Sequence, residues 1–181
     1  MKAGKLSEAA LKRSVIKQLH NPQNTALLSS NVGVDAAALL LQEDEAVVLS
    51  VDPVTLSETH IGWLGICAAL NDVAATGARP VAVLVSILLP PSFSEDGLRK
   101  IMKDMDDICR PYGIAIIGGH TEVTRAVNMP LITVTGVGAV KKSSLLDAGQ
   151  VQPDMDLVVT KWIGLEGTSI LAQAHYAELA E

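Results

Sequence analysis

Between Ala36 and Leu89 the chain carries apolar stretches of different lengths, and the length of each decides what it can form. Ala36–Leu41 and Ala46–Val51 are too short for helices, so they predict two strands. The acidic Gln42-Glu43-Asp44-Glu45 between them reads as a short exposed connection, making the pair a hairpin. His60 to Thr76 is long enough for a helix, with Gly77 placed to cap its C-terminus. Leu64, Ala68 and Asp72 share one of its faces and Trp63, Cys67 and Asn71 the next. Nearly every other position is Ala, Gly, Ile, Leu or Val. A helix apolar on every side is expected to be buried, with no polar face to offer.

Pro80–Leu89 is a continuous apolar strand closed by Pro90-Pro91. Ser94 then caps a helix whose stripe is Leu98, Ile101, Met102, Met105, Ile108 and Cys109, and Pro111 ends it. Ile114–Ile117 predicts a short buried strand running into Gly118-Gly119. Leu131–Ala139 alternates, with Ile132 and Val134 on one side and Thr133 and Thr135 on the other, as in a half-buried strand. Leu157–Thr160 predicts one more short strand and Glu166–Leu179 a last helix. Ahead of all these, Ser7 can cap a helix reaching Leu19, and the polar residues 20–31 read as a loop. The helix at 166–179 has two readings: the opening of a second domain, or a packing helix at the end of one.

Composition narrows the function classes. The chain has 181 residues, 49% of them hydrophobic, but only two Trp, two Tyr and one Phe. Its core is therefore aliphatic, as in layered α and β proteins. A net charge of −6 without a Lys- or Arg-rich run argues against nucleic acid or an anionic membrane as partner. No apolar run approaches the roughly 20 residues a membrane span requires. A soluble cytoplasmic protein is the expectation. Cys67 and Cys109 show no metal-type spacing and read as buried small hydrophobes.

Candidate chemistry lies where carboxylates interrupt apolar sequence. Burying a carboxylate is costly unless a cation or hydrogen bond meets it. Asp72, in the apolar helix beside Asn71, carries this argument furthest, and a magnesium ion would serve it. Asp35 follows Gly33 and is either a turn aspartate or a ligand whose neighbouring glycine lets phosphate or metal approach the backbone. Asp52 ends an apolar strand before Pro53, which fixes an extended exit. Gly118-Gly119-His120-Thr121-Glu122 is either a glycine turn with a solvated tip, or a segment whose amides and Thr121 hydroxyl meet phosphate while Glu122 reaches a metal or base. His120 suits a hydrogen bond better than magnesium, which prefers oxygen ligands. Gly136-Val-Gly-Ala-Val-Lys-Lys-Ser-Ser is only superficially a phosphate loop: Lys141 stands where the second glycine belongs, so a strand with a basic exit is expected.

The order and spacing of these motifs resemble the N-terminal ATP-binding domain of the aminoimidazole ribonucleotide synthetase superfamily. That superfamily includes the hydrogenase maturation factor that dehydrates a carbamoyl thiol, thiamine-monophosphate kinase and selenophosphate synthetase. Asn71-Asp72 followed by Thr76-Gly77-Ala78-Arg79-Pro80 is the most specific match, then Gly118-Gly119 with Thr121 and Glu122, supported by Gly33-Val-Asp-Ala-Ala. The region around Trp162 is most like the hydrogenase maturation type. The resemblance implies an α+β fold with a mixed sheet covered by helices on one face, and a homodimer whose sheets meet in a barrel. It implies ATP and magnesium as cofactors, with Asp35, Asp52 and Asp72 at the metal positions. Gly33, Asn71, Gly118, Gly119, His120, Thr121 and Glu122 would contact nucleotide. His120 stands where many relatives carry Asp or Glu, and Lys5 matches a mobile arm over the phosphates. Residues 1–160 would form the ATP-binding domain, and residues 161–181 would begin a second domain that holds the acceptor. The implied chemistry is attack of an amide-type oxygen on the γ-phosphoryl group of ATP. A separate C-terminal domain or a maturation partner would complete it. The alternative is a non-catalytic nucleotide-binding or dimerisation module.

Overall fold

The computed structural model describes residues 8–9, 26–28, 36–42, 44–55 and 60–179. The fold is α+β. Six strands form one mixed sheet: β1 Ala26–Leu28, β2 Ala36–Gln42, β3 Glu45–Val54, β4 Arg79–Leu89, β5 Ala115–Val123 and β6 Leu131–Lys141, in the spatial order β1-β2-β3-β6-β4-β5. Every neighbouring pair is antiparallel except β4 and β5. Helices α1 (Ile61–Ala75) and α2 (Glu95–Cys109) lie side by side on one face. Helices α3 (Leu165–Ala174) and α4 (Tyr176–Leu179) follow and bury no residue.

The predicted hairpin forms β2 and β3, pairing Ala36 with Ser50 through Leu40 with Ala46. Only Glu8 and Ala9 of the expected first helix are among the described residues, and both are helical. The polar stretch 20–31 contains β1, three residues that pair with β2. Three residues cannot show a period, so this strand had no sequence signal. The expected strand at Leu157–Thr160 does not form; the segment is irregular and Leu157 is 94% exposed. Nothing pairs with its backbone among the described residues, and β propensity by itself does not hold a strand.

Two faces of the sheet behave differently. Val83, Val85, Ile87, Ile132 and Val134 point at the helices and are buried against Ile61, Ile66, Ala69, Ile101, Met105 and Cys109, while Ala46 and Val48 of β3 pack with Val73 and Ala78. This is the aliphatic core that the scarcity of aromatics implied. The other face carries Leu49, Val51, Leu84 and Thr135, half-buried or exposed, with no described helix over it. Gly136 and Gly138 are on the helix side of β6; a methyl group on Gly136 would stand 2.8 Å from the Ala69 carbonyl oxygen. The glycines of the false phosphate loop therefore serve helix–sheet packing.

Helix α1 is not buried all round, contrary to its composition. Its buried line is Ile61, Gly62, Leu64, Gly65, Ile66, Ala69 and Val73, while Trp63, Asn71 and Ala74 are exposed. Alanine and glycine tolerate exposure at little cost, so an apolar count overstates burial. At the start of α2 the Ser94 hydroxyl accepts a hydrogen bond from the Gly97 amide at 3.1 Å. Ser94→Ala is expected to cost about 1 kcal/mol, read from the thermal midpoint. Gly77 ends α1 in a left-handed conformation (φ 79°). No described helix is long and apolar enough to cross a membrane.

Candidate functional site

Alternation along β3 places Ser50 on the helix side with Ala46 and Val48, and Ser50 is the one buried polar residue among those described, at 3% exposure. A hydroxyl on an apolar face needs an acceptor. Its Oγ donates to Asp72 Oδ2 of α1 at 2.9 Å, and Asp52 Oδ2, two residues along the strand, is 3.5 Å away. One serine thus brings two of the three candidate metal aspartates together. Both are half-buried.

These two carboxylates line a cavity of about 360 Å³ with Pro53, Val54, Thr55, Leu64, Ala68, Asn71, Glu166 and Ile170. Its described lining carries three carboxylates, an amide and a hydroxyl, and neither Lys nor Arg. Such an oxygen-rich donor set fits magnesium, which takes carboxylates and water in preference to nitrogen or sulfur. Among the described residues no group of three His, Cys, Asp or Glu side chains closes around a single point. Asp35 and Gly33 lie outside the described residues, as does Lys5.

Strand β3 does not end at Asp52 but runs two residues further, and Pro53 pairs in register with Thr133 of β6. Proline is compatible with this place because, among the described residues, β2 pairs with β3 only as far as Ser50 and no ladder partner faces the other edge of Pro53. Burial pushes the Cys67 thiol of α1 up, with Lys161 opposing and Glu166 adding to the effect. Burial likewise raises Cys109, so both thiols stay protonated at neutral pH, as expected of hydrophobic packing.

The segment 118–122 is neither a turn nor a buried strand end. It continues β5, which is parallel to β4 and largely exposed, Ile117 at 61% included. Gly119 has φ 148°, and a methyl group there would stand 1.8 Å from the Val85 carbonyl oxygen. The backbone of β5 therefore approaches β4 as only glycine allows. Asp52, Val134, Val85 and Gly119 form one row across the sheet, as do Val54, Ile132, Ile87 and Thr121. Asp52 and Gly119 are thus level but three strand spacings apart, about 14 Å. Thr121 is in register with Ile87, on the helix side. His120 and Glu122 are in register with Ser86 and Leu88, on the opposite side, where His120 Nε2 lies 3.3 Å from Glu122 Oε2.

The structure therefore brings Asp52, Asn71 and Asp72 into one cavity and holds Gly118–Glu122 apart from it, level with Asp52 but three strands across the sheet. Sequence reasoning missed Ser50 and Glu166. Ser50 was detectable as a polar residue in phase with Ala46 and Val48; Glu166 had no such signal, because its place depends on where α3 docks.

Residues 33–140, more than half of the chain, match the family model described as AIR synthase related protein, N-terminal domain. The chain is 29% identical over 178 residues to a hydrogenase expression/formation protein of Methanocaldococcus jannaschii, covering 93% of this chain and 51% of that protein. It is 29% identical over 153 residues to the carbamoyl dehydratase HypE of Cupriavidus necator, covering 81% of this chain and 44% of that protein. The chain thus spans about half the length of the curated relatives it matches. A hydrogenase maturation protein HypE solved in complex with ATP has the same fold, with a TM-score of 0.56 at 23% identity over 83% of this chain and 45% of that one.

Proposed function

The chain belongs to the AIR synthase related family, and from that membership we propose that it is the ATP- and magnesium-binding N-terminal domain of an enzyme that phosphorylates an amide-type oxygen. The observation that carries this reading is the convergence of Asp52 and Asp72 on the Ser50 hydroxyl, in a cavity rimmed by Asn71 and Glu166. Asp52 and Asp72, with Asp35, would hold magnesium. When bound, the metal neutralises charge on the transferring phosphoryl oxygens. Ser50 orients the Asp72 carboxylate, since a hydrogen-bonded ligand is fixed in one rotamer.

Asn71, Gly33 and residues Gly118–Glu122 would contact the nucleotide. The two groups are level and about 14 Å apart across the sheet, a separation that a triphosphate with its base can bridge. The similarity to a carbamoyl dehydratase favours an amide-type acceptor. Residues 1–160 would form the nucleotide domain and residues 161–181 the opening of a second domain, which fits the absence of buried residues in α3. The sheet face bearing Val51 and Leu84 would pair with the same face of a second copy in a homodimer, since exposed apolar rows of this kind mark association surfaces.

Calorimetric titration with Mg-ATP tests the donor half of the proposal, and saturable binding is the expected result. ADP release, measured alone and with the second domain of a full-length relative supplied separately, tests the acceptor half. Release only in the mixture is expected. Binding without release in either mixture would leave a nucleotide-binding module in place of an enzyme.

A further inference from the structure

On the helical side of the molecule, away from Asp52 and Asp72, the start of α1 and the end of α2 enclose a second cavity of about 400 Å³. It is lined by His60, Trp63, Asp104, Asp107, Ile108 and Tyr112, with Pro111 between the last two. Nothing in the ATP reading uses it. Two of its features favour positive charge. Trp63 and Tyr112 supply ring faces, and they are two of only five aromatic residues in the chain. Asp104 and Asp107 supply carboxylates. The C-terminus of α2 and the N-terminus of α1 both face it, so their dipoles oppose each other and the side chains set its charge.

The ion pairs of α2 sharpen this. Arg99 pairs with Glu95 and Asp96, Lys103 with Asp107, and Arg110 with Asp106 and Asp107. Asp104 is the acidic residue of α2 that makes no ion pair or hydrogen bond with a described residue, although it is half-buried in the cavity wall. This half-buried carboxylate shares its cavity with two aromatic side chains and has no partner there, and a cation would supply one.

The cavity is also shallow. Tyr112 is 74% exposed and Trp63 47%. A small molecule requires burial of most of its surface, which such a cavity cannot give, whereas a side chain presented by a protein surface brings the rest of its interface with it. Trp and Tyr beside a charged group are the composition of an interface anchor point. We infer that this cavity is a docking point for an arginine side chain on a basic segment of a protein partner. The guanidinium stacks on Trp63 and Tyr112 and pairs with Asp104. Arginine is preferred to lysine because its planar group can stack and hydrogen-bond at once.

The test uses the full chain carrying Trp162→Phe, so that Trp63 is the only indole. Its emission and its indole N–H resonance are followed during titration with a capped Gly/Ser peptide containing two arginines. The same peptide with citrulline and free arginine amide are titrated in parallel. A saturable shift with the arginine peptide, absent with citrulline, is expected. Asp104→Asn and Tyr112→Ser are each expected to weaken it about fivefold with the thermal midpoint unchanged, since both side chains reach solvent. Mg-ATP affinity is expected to stay the same in both variants, which keeps this result independent of the ATP reading. An equal response to citrulline, or no loss in Asp104→Asn, would overturn the inference. Free arginine amide binding as tightly as the peptide would also overturn it, by making the cavity a small-molecule site.

Discussion

Asp72→Ala is expected to lower Mg-ATP affinity by roughly 100-fold while the protein stays folded. Removing a group that merely orients a metal ligand commonly costs 10- to 100-fold in metal affinity, so losing the ligand itself falls at or beyond the upper end. Asp72 is half-buried and lines the cavity without belonging to the aliphatic core, so its loss leaves no large void. Ser50→Ala is the informative companion. It keeps both carboxylates and removes only the hydroxyl that donates to Asp72 at 2.9 Å. About a tenfold loss is expected there, smaller than for Asp72. Calorimetry on the three proteins, with thermal midpoints as a folding control, decides the matter. Equal affinity in wild type and Asp72→Ala would sink the metal assignment, and a larger loss in Ser50→Ala than in Asp72→Ala would reverse the roles of the two residues.

Gly119→Ala is expected to destabilise the fold by about 3 kcal/mol, a fall in thermal midpoint of roughly 6–12 °C for a chain of this size. The added methyl would sit 1.8 Å from the Val85 carbonyl oxygen, which is backbone of a central strand and cannot rotate away. Relief requires β5 to separate from β4. Gly118 is the internal control. A methyl there would meet nothing nearer than a Leu84 side-chain carbon at 3.9 Å, so Gly118→Ala is expected to change stability by less than about 0.5 kcal/mol. Equal effects of the two substitutions in a melting experiment would show that the pairing of β5 with β4 is looser than described.

These two outcomes also separate what could be read from the chain and what could not. Asp72 was legible because an aspartate among Leu64, Ala68 and Val73 breaks an apolar run. Its partnership with Ser50 was not legible, since it joins residues 22 apart on a strand and a helix. Gly119 was legible as important, but not as a strand residue. A glycine pair after an apolar run is the usual mark of a turn, and only the parallel neighbour β4 makes it a strand that needs a missing side chain. Likewise Leu157–Thr160 has the composition of a strand but no neighbour to pair with among the described residues, while β1 has a neighbour and almost no composition.

The sequence by itself determined the elements whose periodicity is complete within one segment. These are the β2–β3 hairpin, the alternating β6, the capped amphipathic α2 and the aliphatic core. Hydrophobic period and capping act over a few residues, so nearby residues suffice to specify them. Tertiary structure decided which side of each strand the helices cover, that Asp52 and Asp72 share one hydroxyl, and that residues 118–122 lie about 14 Å along the sheet from them. Those facts depend on strand order and register. Register is set by pairing between distant segments, and a shift of one residue would turn Ser50 and Asp52 away from α1.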